Sequence, residues 1–196
     1  MERIHLSATS WMDKYVLPEE HLPSEAEFEV LWNLHPEKYN QVIMGGKVVD
    51  TPRWQQSYNL PYFFTGKMHA ALPVPDAIMP YWAWVDALGY GKFKQILLNW
   101  YENGHHYIGA HSDNERQLVN ESAIASISIG AERKFRIRDK LSKAIKCDVD
   151  MPNGTVFVMG GQMQTEFTHE VPKINGKKGD AVGRRINITF RQFRKG

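Results

Sequence analysis

Residues 99–113, NWYENGHHYIGAHSD, carry the pattern from which the fold and the chemistry of this chain can be argued. The segment ends in His111 and Asp113, two positions apart. On an extended segment such side chains leave the same face, so both can point at one bound cation. An imidazole and a carboxylate suit a divalent transition metal, and one further histidine would complete a two-His-one-carboxylate set with open coordination positions. Taken alone, the pair is also typical of an ordinary surface loop.

A second pattern lies near the end of the chain, in RINITFR at residues 185–191. Strand alternation puts Arg185, Asn187, Thr189 and Arg191 on one face and the apolar residues on the other. The polar face either lies in water or lines a barrel interior. Buried arginines need anionic partners, and the planar guanidinium matches a carboxylate with two hydrogen bonds. Two such arginines would suit a small dicarboxylate.

Asn99 and Tyr101 show the same spacing at the end of the apolar run ILLNWY. Both side chains offer hydrogen bonds and neither carries charge. They either hold the same small acid from the opposite wall or form part of a polar rim.

Composition indicates one soluble globular domain of 196 residues. No apolar run approaches the roughly 18 residues that span a bilayer, so no membrane partner is expected. The N-terminus lacks a basic segment followed by an apolar one, so no signal peptide is expected. The single cysteine, Cys147, excludes an intrachain disulfide and fits a reducing intracellular compartment, either nucleus or cytoplasm. We expect a monomer.

A net charge of +2 does not by itself indicate a nucleic-acid partner. Basic residues do cluster between 133 and 138 and again between 173 and 185. Such clusters either track phosphates or form solvated faces.

The remaining pattern predicts an α+β chain dominated by an antiparallel sandwich or barrel. Ser24 and Glu27 form a capping box for a helix over about 25–35, and Asp76 is expected to cap a second helix that Gly89 closes. Short strands or hairpins are expected over 41–66. The later candidate strands are 93–101, 123–129, 133–138, 155–159 and 185–193.

The order of these motifs resembles the AlkB family of Fe(II)- and 2-oxoglutarate-dependent dioxygenases. The resemblance rests on the patterns at 99–101, 111–113 and 185–191, with a later histidine in QTEFTHEVPK. HSDNERQLVNESAIASISIGAERKFRIR, from 111 to 138, resembles the eukaryotic-type nucleic-acid-repair branch, as do Pro52-Arg53 and YFFTG at 62–66. The resemblance to the family covers about residues 50–193 and does not extend to residues 1–40.

The resemblance implies a double-stranded β-helix, or jelly-roll, core with the metal inside one end of the barrel. His111, Asp113 and His169 would be the catalytic Fe(II) ligands. His105 and His106 are the alternatives for the third ligand. We prefer His169, because adjacent residues on a strand point to opposite faces and ENGHHYIG is typical of a turn.

The same resemblance implies that Arg185 and Arg191 hold the two carboxylates of 2-oxoglutarate, with Arg191 nearer the metal. Asn99, Tyr101 and Asn187 would add hydrogen bonds. In the family, O2 oxidises the co-substrate to succinate and carbon dioxide while an N-methyl group on a base is hydroxylated. The product then loses formaldehyde, which restores the base.

A base must leave its stack to reach a buried iron. Tyr62 and Phe64 are candidates for stacking on it, or else are core aromatics of a hairpin. Glu115 matches the family's acidic position that can face an exocyclic amine. Arg53 and Arg133 match further substrate positions of the branch, as phosphate contacts or as internal ion pairs.

One departure concerns the aromatic wedge that the duplex-acting branch carries shortly before its Pro-Arg pair. Here residues 42–47 read VIMGGK and contain no aromatic. Either Ile43 or Met44 wedges into a base stack, or the protein acts on single strands.

We therefore expect an Fe(II)- and 2-oxoglutarate-dependent demethylase of 1-methyladenine- and 3-methylcytosine-type bases in DNA or RNA. The alternatives are an oxygenase for a protein or small molecule and a non-enzymatic jelly-roll binding module. The expected organisation is an N-terminal extension with a short helix (1–40), recognition hairpins with a supporting helix (41–92) and the catalytic core (93–196).

Overall fold

The structure is a computed structural model that describes residues 1–64 and 67–194, with the side chains of Met44, Phe64 and Lys67 outside that description. In this part of the chain, no helix has the length and apolar character needed to cross a bilayer.

Strands dominate the chain, and the helices are short. In chain order the strands are β1 (Glu2–His5), β2 (Ser10–Val16), β3 (Gln41–Met44), β4 (Lys47–Asp50), β5 (Trp54–Tyr58), β6 (Tyr62–Phe64), β7 (Lys67–His69), β8 (Ala71–Leu72), β9 (Gln95–Tyr101), β10 (Ile108–His111), β11 (Ile124–Gly130), β12 (Arg133–Asp139), β13 (Ile145–Met151), β14 (Thr155–Gly161), β15 (Phe167–Val171) and β16 (Arg185–Arg191). The helices are α1 (Glu25–Trp32), α2 (Met79–Ala87), α3 (Met163–Glu166) and α4 (Gly176–Asp180), with 3-10 turns at Glu19–His21 and Asp76–Ile78.

Two sheets pack face to face. The larger has the order β1-β2-β14-β11-β16-β9-β5-β8, and the smaller has the order β10-β15-β12-β13. Two hairpins, β3-β4 and β6-β7, lie outside these sheets. The central strands β14, β11, β16 and β9 are antiparallel to their neighbours, as are all four strands of the smaller sheet. This arrangement is the predicted double-stranded β-helix.

The large sheet is covered on both faces, which explains why its central strands are buried along their whole length. Its outer face packs against α1 and α2, and the alternate residues of β9, Ile96, Leu98 and Trp100, belong to that cluster. Its inner face meets the small sheet in a second cluster, to which Phe157 and Phe135 contribute from opposite sides. The polar row of β16 faces this interior.

The predicted capping box of α1 is confirmed. The Glu27 amide donates to the Ser24 hydroxyl at 3.3 Å, and the Glu27 carboxylate accepts from the Ser24 amide at 2.8 Å. The predicted cap at Asp76 is wrong, because this residue begins a 3-10 turn and its side chain makes no capping hydrogen bond. Gly89 follows α2 with a φ of +82°, as its closing role requires.

The N-terminal residues contribute two strands that the sequence did not reveal. β2 pairs with β14 along its whole length, and β1 pairs with β2. At the other side of the sheet, β5 pairs with β9. Strand pairing therefore crosses both boundaries of the predicted organisation, at residues 40 and 92. The recognition and catalytic roles given to these segments remain predictions.

The first basic cluster is neutralised within the small sheet. Three of its side chains bond to carboxylates on neighbouring strands. These pairs are Lys134–Asp150 at 2.9 Å, Arg136–Asp148 at 2.7 Å and Arg138–Glu170 at 2.8 Å. The structure therefore favours the solvated-face interpretation over phosphate tracking. In the second cluster, Arg184 pairs with Glu29 and Arg185 is buried, while three lysines around α4 are exposed.

Candidate active site

Three side chains capable of binding a metal converge inside one end of the barrel. His111 ends β10, Asp113 follows it, and His169 lies on β15 directly opposite His111. One ligand atom from each residue lies within 4.8 Å of the others. Two imidazoles and one carboxylate at this separation form a set suited to a divalent transition metal. Neither alternative histidine joins them, because His105 bonds to Asp180 and His106 packs against Tyr39 and Trp54.

His111 is held with one ring nitrogen directed to the barrel interior. Its Nδ1 donates to the Gly109 carbonyl at 2.9 Å, which leaves Nε2 unprotonated and 3.9 Å from an Asp113 oxygen. A hydrogen bond from the far nitrogen to a carbonyl is the usual way in which proteins orient a metal-binding imidazole. Burial lowers the pKa of His111, which favours the neutral form that a metal requires.

Asp113 is anchored from two sides. Its main-chain amide donates to the Gln164 side chain at 2.8 Å, and its carboxylate accepts from Arg191 Nη2 at 2.9 Å. Burial alone would raise the pKa of Asp113, but the charge of Arg191, the two neighbouring imidazoles and the hydrogen bond from Arg191 together outweigh it and lower the pKa below its usual range. The carboxylate is therefore ionised in the interior.

His169 is buried, with 6% of the residue exposed, and Asp113 is buried still more deeply at 2%. Its ring stacks on Phe135 with centroids 5.2 Å apart and faces the His111 ring at 4.4 Å. Burial and the neighbouring His111 lower the pKa of His169 to about 3. Two neutral imidazoles thus lie beside one carboxylate.

A row of polar side chains on the inner face of the large sheet borders the same cavity. Asn99, Asn187 and Thr189 line it together with Tyr101 and Arg191. The cavity is narrow, about 40 Å³, and the three metal-binding candidates lie at its end. The polar row of β16 therefore lines the barrel interior and does not lie in water.

Arg185 is a fully buried cation without a counter-ion among the described residues. It donates to Ser128 at 2.8 Å and to Asn187 at 2.9 Å, and its guanidinium lies 4.8 Å from the Tyr101 ring centroid. Its Nη1 has no hydrogen-bond partner. Burial lowers the pKa of Arg185 to about 10, which reflects this missing compensation. Asn187 and Tyr101, which Arg185 contacts, line the inner cavity, and an unpartnered buried nitrogen behind them fits a carboxylate of the bound co-substrate.

Arg191 lies at the other end of the row and bridges it to the metal-binding candidates. Its guanidinium bonds to Asp113 and lies 3.8 Å from a Glu115 oxygen and 5.1 Å from the Tyr62 ring centroid. Burial alone would lower the pKa of Arg191, but both carboxylates raise it further above its normal value. Arg191 therefore remains charged where a second carboxylate can approach.

The two further arginines predicted to contact substrate are turned inward. Arg53 is 3% exposed and donates to Asn99 at 2.7 Å, which orients that amide and leaves its nitrogen free to donate. Arg133 is 2% exposed and donates to four main-chain carbonyls, at residues 103, 104, 106 and 172. Neither makes an internal ion pair or reaches the surface as a phosphate contact would. Arg53 also lines the inner cavity, and contact of either arginine with substrate stays a prediction.

The hairpin β6-β7 exposes Phe63 and buries Tyr62, one of the two aromatic residues predicted to stack on the base. Tyr62 is 3% exposed and faces the inner cavity, while Phe63 is 47% exposed and lies directly opposite Met68, which is 53% exposed. The Phe64 side chain lies outside the described residues. Alternation along YFF could have indicated that Phe63 and Tyr62 face opposite sides, but not which of the two faces outward.

Two glutamines of the site were missed by the sequence analysis. Gln95 accepts from Arg191 Nη1 at 3.0 Å, and Gln164 accepts from the Asp113 amide. Gln95 lies on the same face of β9 as Asn99 and Tyr101. The alternation that identified those two residues, extended four positions toward the start of the strand, would have included it. Nothing in the local sequence of Gln164 marks it.

Comparison with known proteins agrees with this geometry. The family model described as the 2OG-Fe(II) oxygenase superfamily matches residues 34–191. The human DNA oxidative demethylase ALKBH2 is 30% identical over 166 residues, which cover 78% of this chain and 61% of that protein. The rat alpha-ketoglutarate-dependent dioxygenase alkB homolog 3 is 32% identical over 107 residues, which cover 50% of this chain and 35% of the relative.

A solved structure, that of OsALKBH1, superposes with a TM-score of 0.58 at 16% identity and covers 92% of this chain and 97% of that one, which supports the fold. The chain spans 57–66% of the length of the human, bovine and mouse ALKBH2 proteins. The family match, the shared fold and the buried His-Asp-His set agree. The chain belongs to the 2OG-Fe(II) oxygenase superfamily, a family that uses Fe(II) and 2-oxoglutarate, and within it the chain is similar to the AlkB homologues.

Proposed function

We propose that this protein oxidatively demethylates N-alkylated bases, of the 1-methyladenine and 3-methylcytosine type, in nucleic acid. His111, Asp113 and His169 bind Fe(II). Arg185 and Arg191 take the two carboxylates of 2-oxoglutarate. Asn99, Tyr101 and Asn187 donate further hydrogen bonds to that co-substrate.

The observation that carries the substrate class is an open cavity directly outside the metal-binding candidates. It measures about 880 Å³, within the size range of ligand sites, and His111 and Glu115 line it. Phe63 and Met68 form an apolar wall on the hairpin, and the cations of Arg116 and Lys140 are also in its lining. An aromatic face for stacking with nearby positive charges is the composition that binds single-stranded nucleic acid.

Glu115 gives this cavity a preference for an alkylated base. The side chain is 6% exposed, and its Oε2 has no hydrogen-bond partner among the residues that the structure describes. An exocyclic amine could donate to that oxygen. Methylation at N1 of adenine or N3 of cytosine also places positive charge on the ring, next to this carboxyl. An unmodified base has the amine but lacks the charge.

The chain's own residues orient and shield the reaction. Bound Fe(II) and 2-oxoglutarate would supply the oxidation of the N-methyl group with dioxygen as the oxidant: one oxygen atom enters succinate as the co-substrate loses carbon dioxide, and the other enters the methyl group. Arg191 and Arg53 hold Asp113 and Asn99 in place, and the burial of His169 excludes water from the inner side. The hydroxymethyl group formed on the base then leaves as formaldehyde, and the ring nitrogen regains its lone pair.

The ALKBH2 relatives, named as DNA oxidative demethylases, support a DNA substrate. The hairpin β3-β4 favours single strands, because it carries no aromatic wedge. Ile43 and Val48 lie opposite each other on it and are 50% and 64% exposed. The side chain of Met44, the other wedge candidate, lies outside the described residues.

The direct test is a panel of oligonucleotides carrying 1-methyladenine or 3-methylcytosine, as DNA and RNA, single- and double-stranded. With Fe(II), 2-oxoglutarate and oxygen we expect loss of the methyl group by mass spectrometry, with one formaldehyde and one succinate per methyl removed. Single-stranded DNA should react fastest. Succinate formation without a demethylated product from any member of the panel would reject the nucleic-acid substrate and favour a protein or small-molecule substrate.

Phe63→Ala should lower kcat/KM on single-stranded methylated DNA about tenfold, because stacking on an aromatic contributes roughly 1–3 kcal/mol per base. The 2-oxoglutarate KM should not change. Leu141→Ala is the control, since Leu141 is 94% exposed and outside the cavity. Steady-state rates for both variants check the prediction, and equal rates for Phe63→Ala and the unaltered protein would remove Phe63 from the substrate site.

A further inference from the structure

We propose that Gln95 is a positioning residue for 2-oxoglutarate, which sets the orientation of the Arg191 guanidinium through a neutral hydrogen bond. The inference rests on the proposed role of Arg191 in binding the co-substrate. It goes beyond that role because it says which residue keeps the Arg191 guanidinium bonded to Asp113 rather than to Glu115. That residue is uncharged and lies on the neighbouring strand β9.

Gln95 belongs to a directional chain of hydrogen bonds. It is fully buried and lies directly opposite Arg191 in the pairing of β9 with β16. The Ser57 hydroxyl donates to the Leu60 carbonyl at 2.7 Å and therefore accepts, at 3.0 Å, from Gln95 Nε2. The amide is thereby oriented so that its Oε1 faces Arg191 and accepts from Nη1 at 3.0 Å. This series of hydrogen bonds begins at the Leu60 carbonyl, two residues before Tyr62 and the hairpin β6-β7.

Arg191 needs such an anchor because two carboxylates compete for it. Nη2 donates to Asp113 at 2.9 Å, while Nε has no hydrogen-bond partner and lies 3.8 Å from a Glu115 oxygen. A small rotation of the guanidinium would exchange one contact for the other. The contact with Gln95 on the opposite nitrogen opposes that rotation. Because an amide is neutral, it does so without adding a third negative charge against which 2-oxoglutarate would have to compete.

The alternative role for Gln95 is to fill space in a buried sheet. The chain offers a matched control for this role. Gln56 lies on the neighbouring strand β5, is half-buried, and donates only to the main-chain carbonyls of Ser57 and Ala70. Methionine has nearly the volume of glutamine and cannot accept the Arg191 hydrogen bond in the same way. Gln95→Met and Gln56→Met therefore make the same chemical change, the first within the series of hydrogen bonds that ends at Arg191 and the second outside it.

The experiment measures binding without turnover, by calorimetric titration of 2-oxoglutarate into Mn(II)-loaded protein and of Mn(II) into the metal-free protein. For Gln95→Met we expect the Kd of 2-oxoglutarate to rise about tenfold, while the Kd of Mn(II) changes by less than about twofold. Gln56→Met should match the unaltered protein in both titrations. Ser57→Ala, which removes the acceptor for Gln95 Nε2 with little change in volume, should raise the Kd of 2-oxoglutarate by about threefold.

An unchanged 2-oxoglutarate affinity in Gln95→Met would overturn the inference, as would equal losses in Gln95→Met and Gln56→Met. Should Gln95→Met fail to fold, Ser57→Ala decides: an unchanged affinity in that variant overturns the inference and a selective loss supports it. Absence of 2-oxoglutarate binding by the unaltered Mn(II)-loaded protein would instead refute the proposed co-substrate site, and this inference with it.

Discussion

Asp113→Asn is expected to abolish turnover and to weaken Mn(II) binding by at least about a hundredfold. Loss of a hydrogen-bonding partner behind a metal ligand typically costs about 10–100-fold in affinity, and this change removes the charged ligand itself. An asparagine keeps the shape of the side chain, so the Gln164 contact with the main-chain amide persists. Calorimetric titration with Mn(II) and a succinate assay measure the two effects.

A matched control separates metal loss from general destabilisation. Asp13 is, like Asp113, a buried carboxylate bonded to an arginine, Arg3, but it lies far from the site on β2. Asp13→Asn and Asp113→Asn should both lower the melting temperature, because each loses an ionic hydrogen bond to an arginine, Arg3 in the first case and Arg191 in the second. Only Asp113→Asn should lose Mn(II). Normal Mn(II) affinity in Asp113→Asn would reject the ligand assignment.

Arg185→Met is expected to raise the Kd of 2-oxoglutarate at least about a hundredfold and to leave Mn(II) binding nearly unchanged. Removing one partner of a buried charged hydrogen bond costs about 2–5 kcal/mol or more, and each 1.36 kcal/mol is tenfold. The Arg185 guanidinium lies along the polar row from the metal-binding candidates and makes no contact with them. The loss should therefore be confined to the co-substrate.

The same substitution makes a distinctive prediction about stability. Without 2-oxoglutarate, Arg185 is a buried cation with no carboxylate partner among the described residues, so its replacement by an apolar side chain should not lower the melting temperature. Addition of 2-oxoglutarate should raise the melting temperature of the unaltered Mn(II)-loaded protein and not that of Arg185→Met. Arg184→Met is the control, because the neighbouring Arg184 bonds to Glu29 outside the barrel. An equal thermal shift in both variants would exclude Arg185 from the co-substrate site.

The sequence by itself determined the elements whose periodicity is local. Alternation in RINITFR and ILLNWY depends only on the geometry of an extended backbone, so it identified the residues that share the inner face. The capping box at Ser24 and Glu27 is likewise confined to one turn of helix. Spacing also identified His111 and Asp113 as a pair, because two residues only two positions apart stay close together whatever the rest of the fold does, even though β10 ends at His111.

Tertiary structure decided which distant residues meet those pairs and which faces are solvated. The pairing of β10 with β15 puts His169 opposite His111, and no local rule relates two strands more than fifty positions apart. The strand β2 was missed because its pairing with β14, and not its composition, makes it a strand. Packing likewise decided that the Phe63 side chain is exposed and that the Arg133 side chain is buried. Alternation defines two faces of a strand, but only packing against the rest of the chain decides which face is buried.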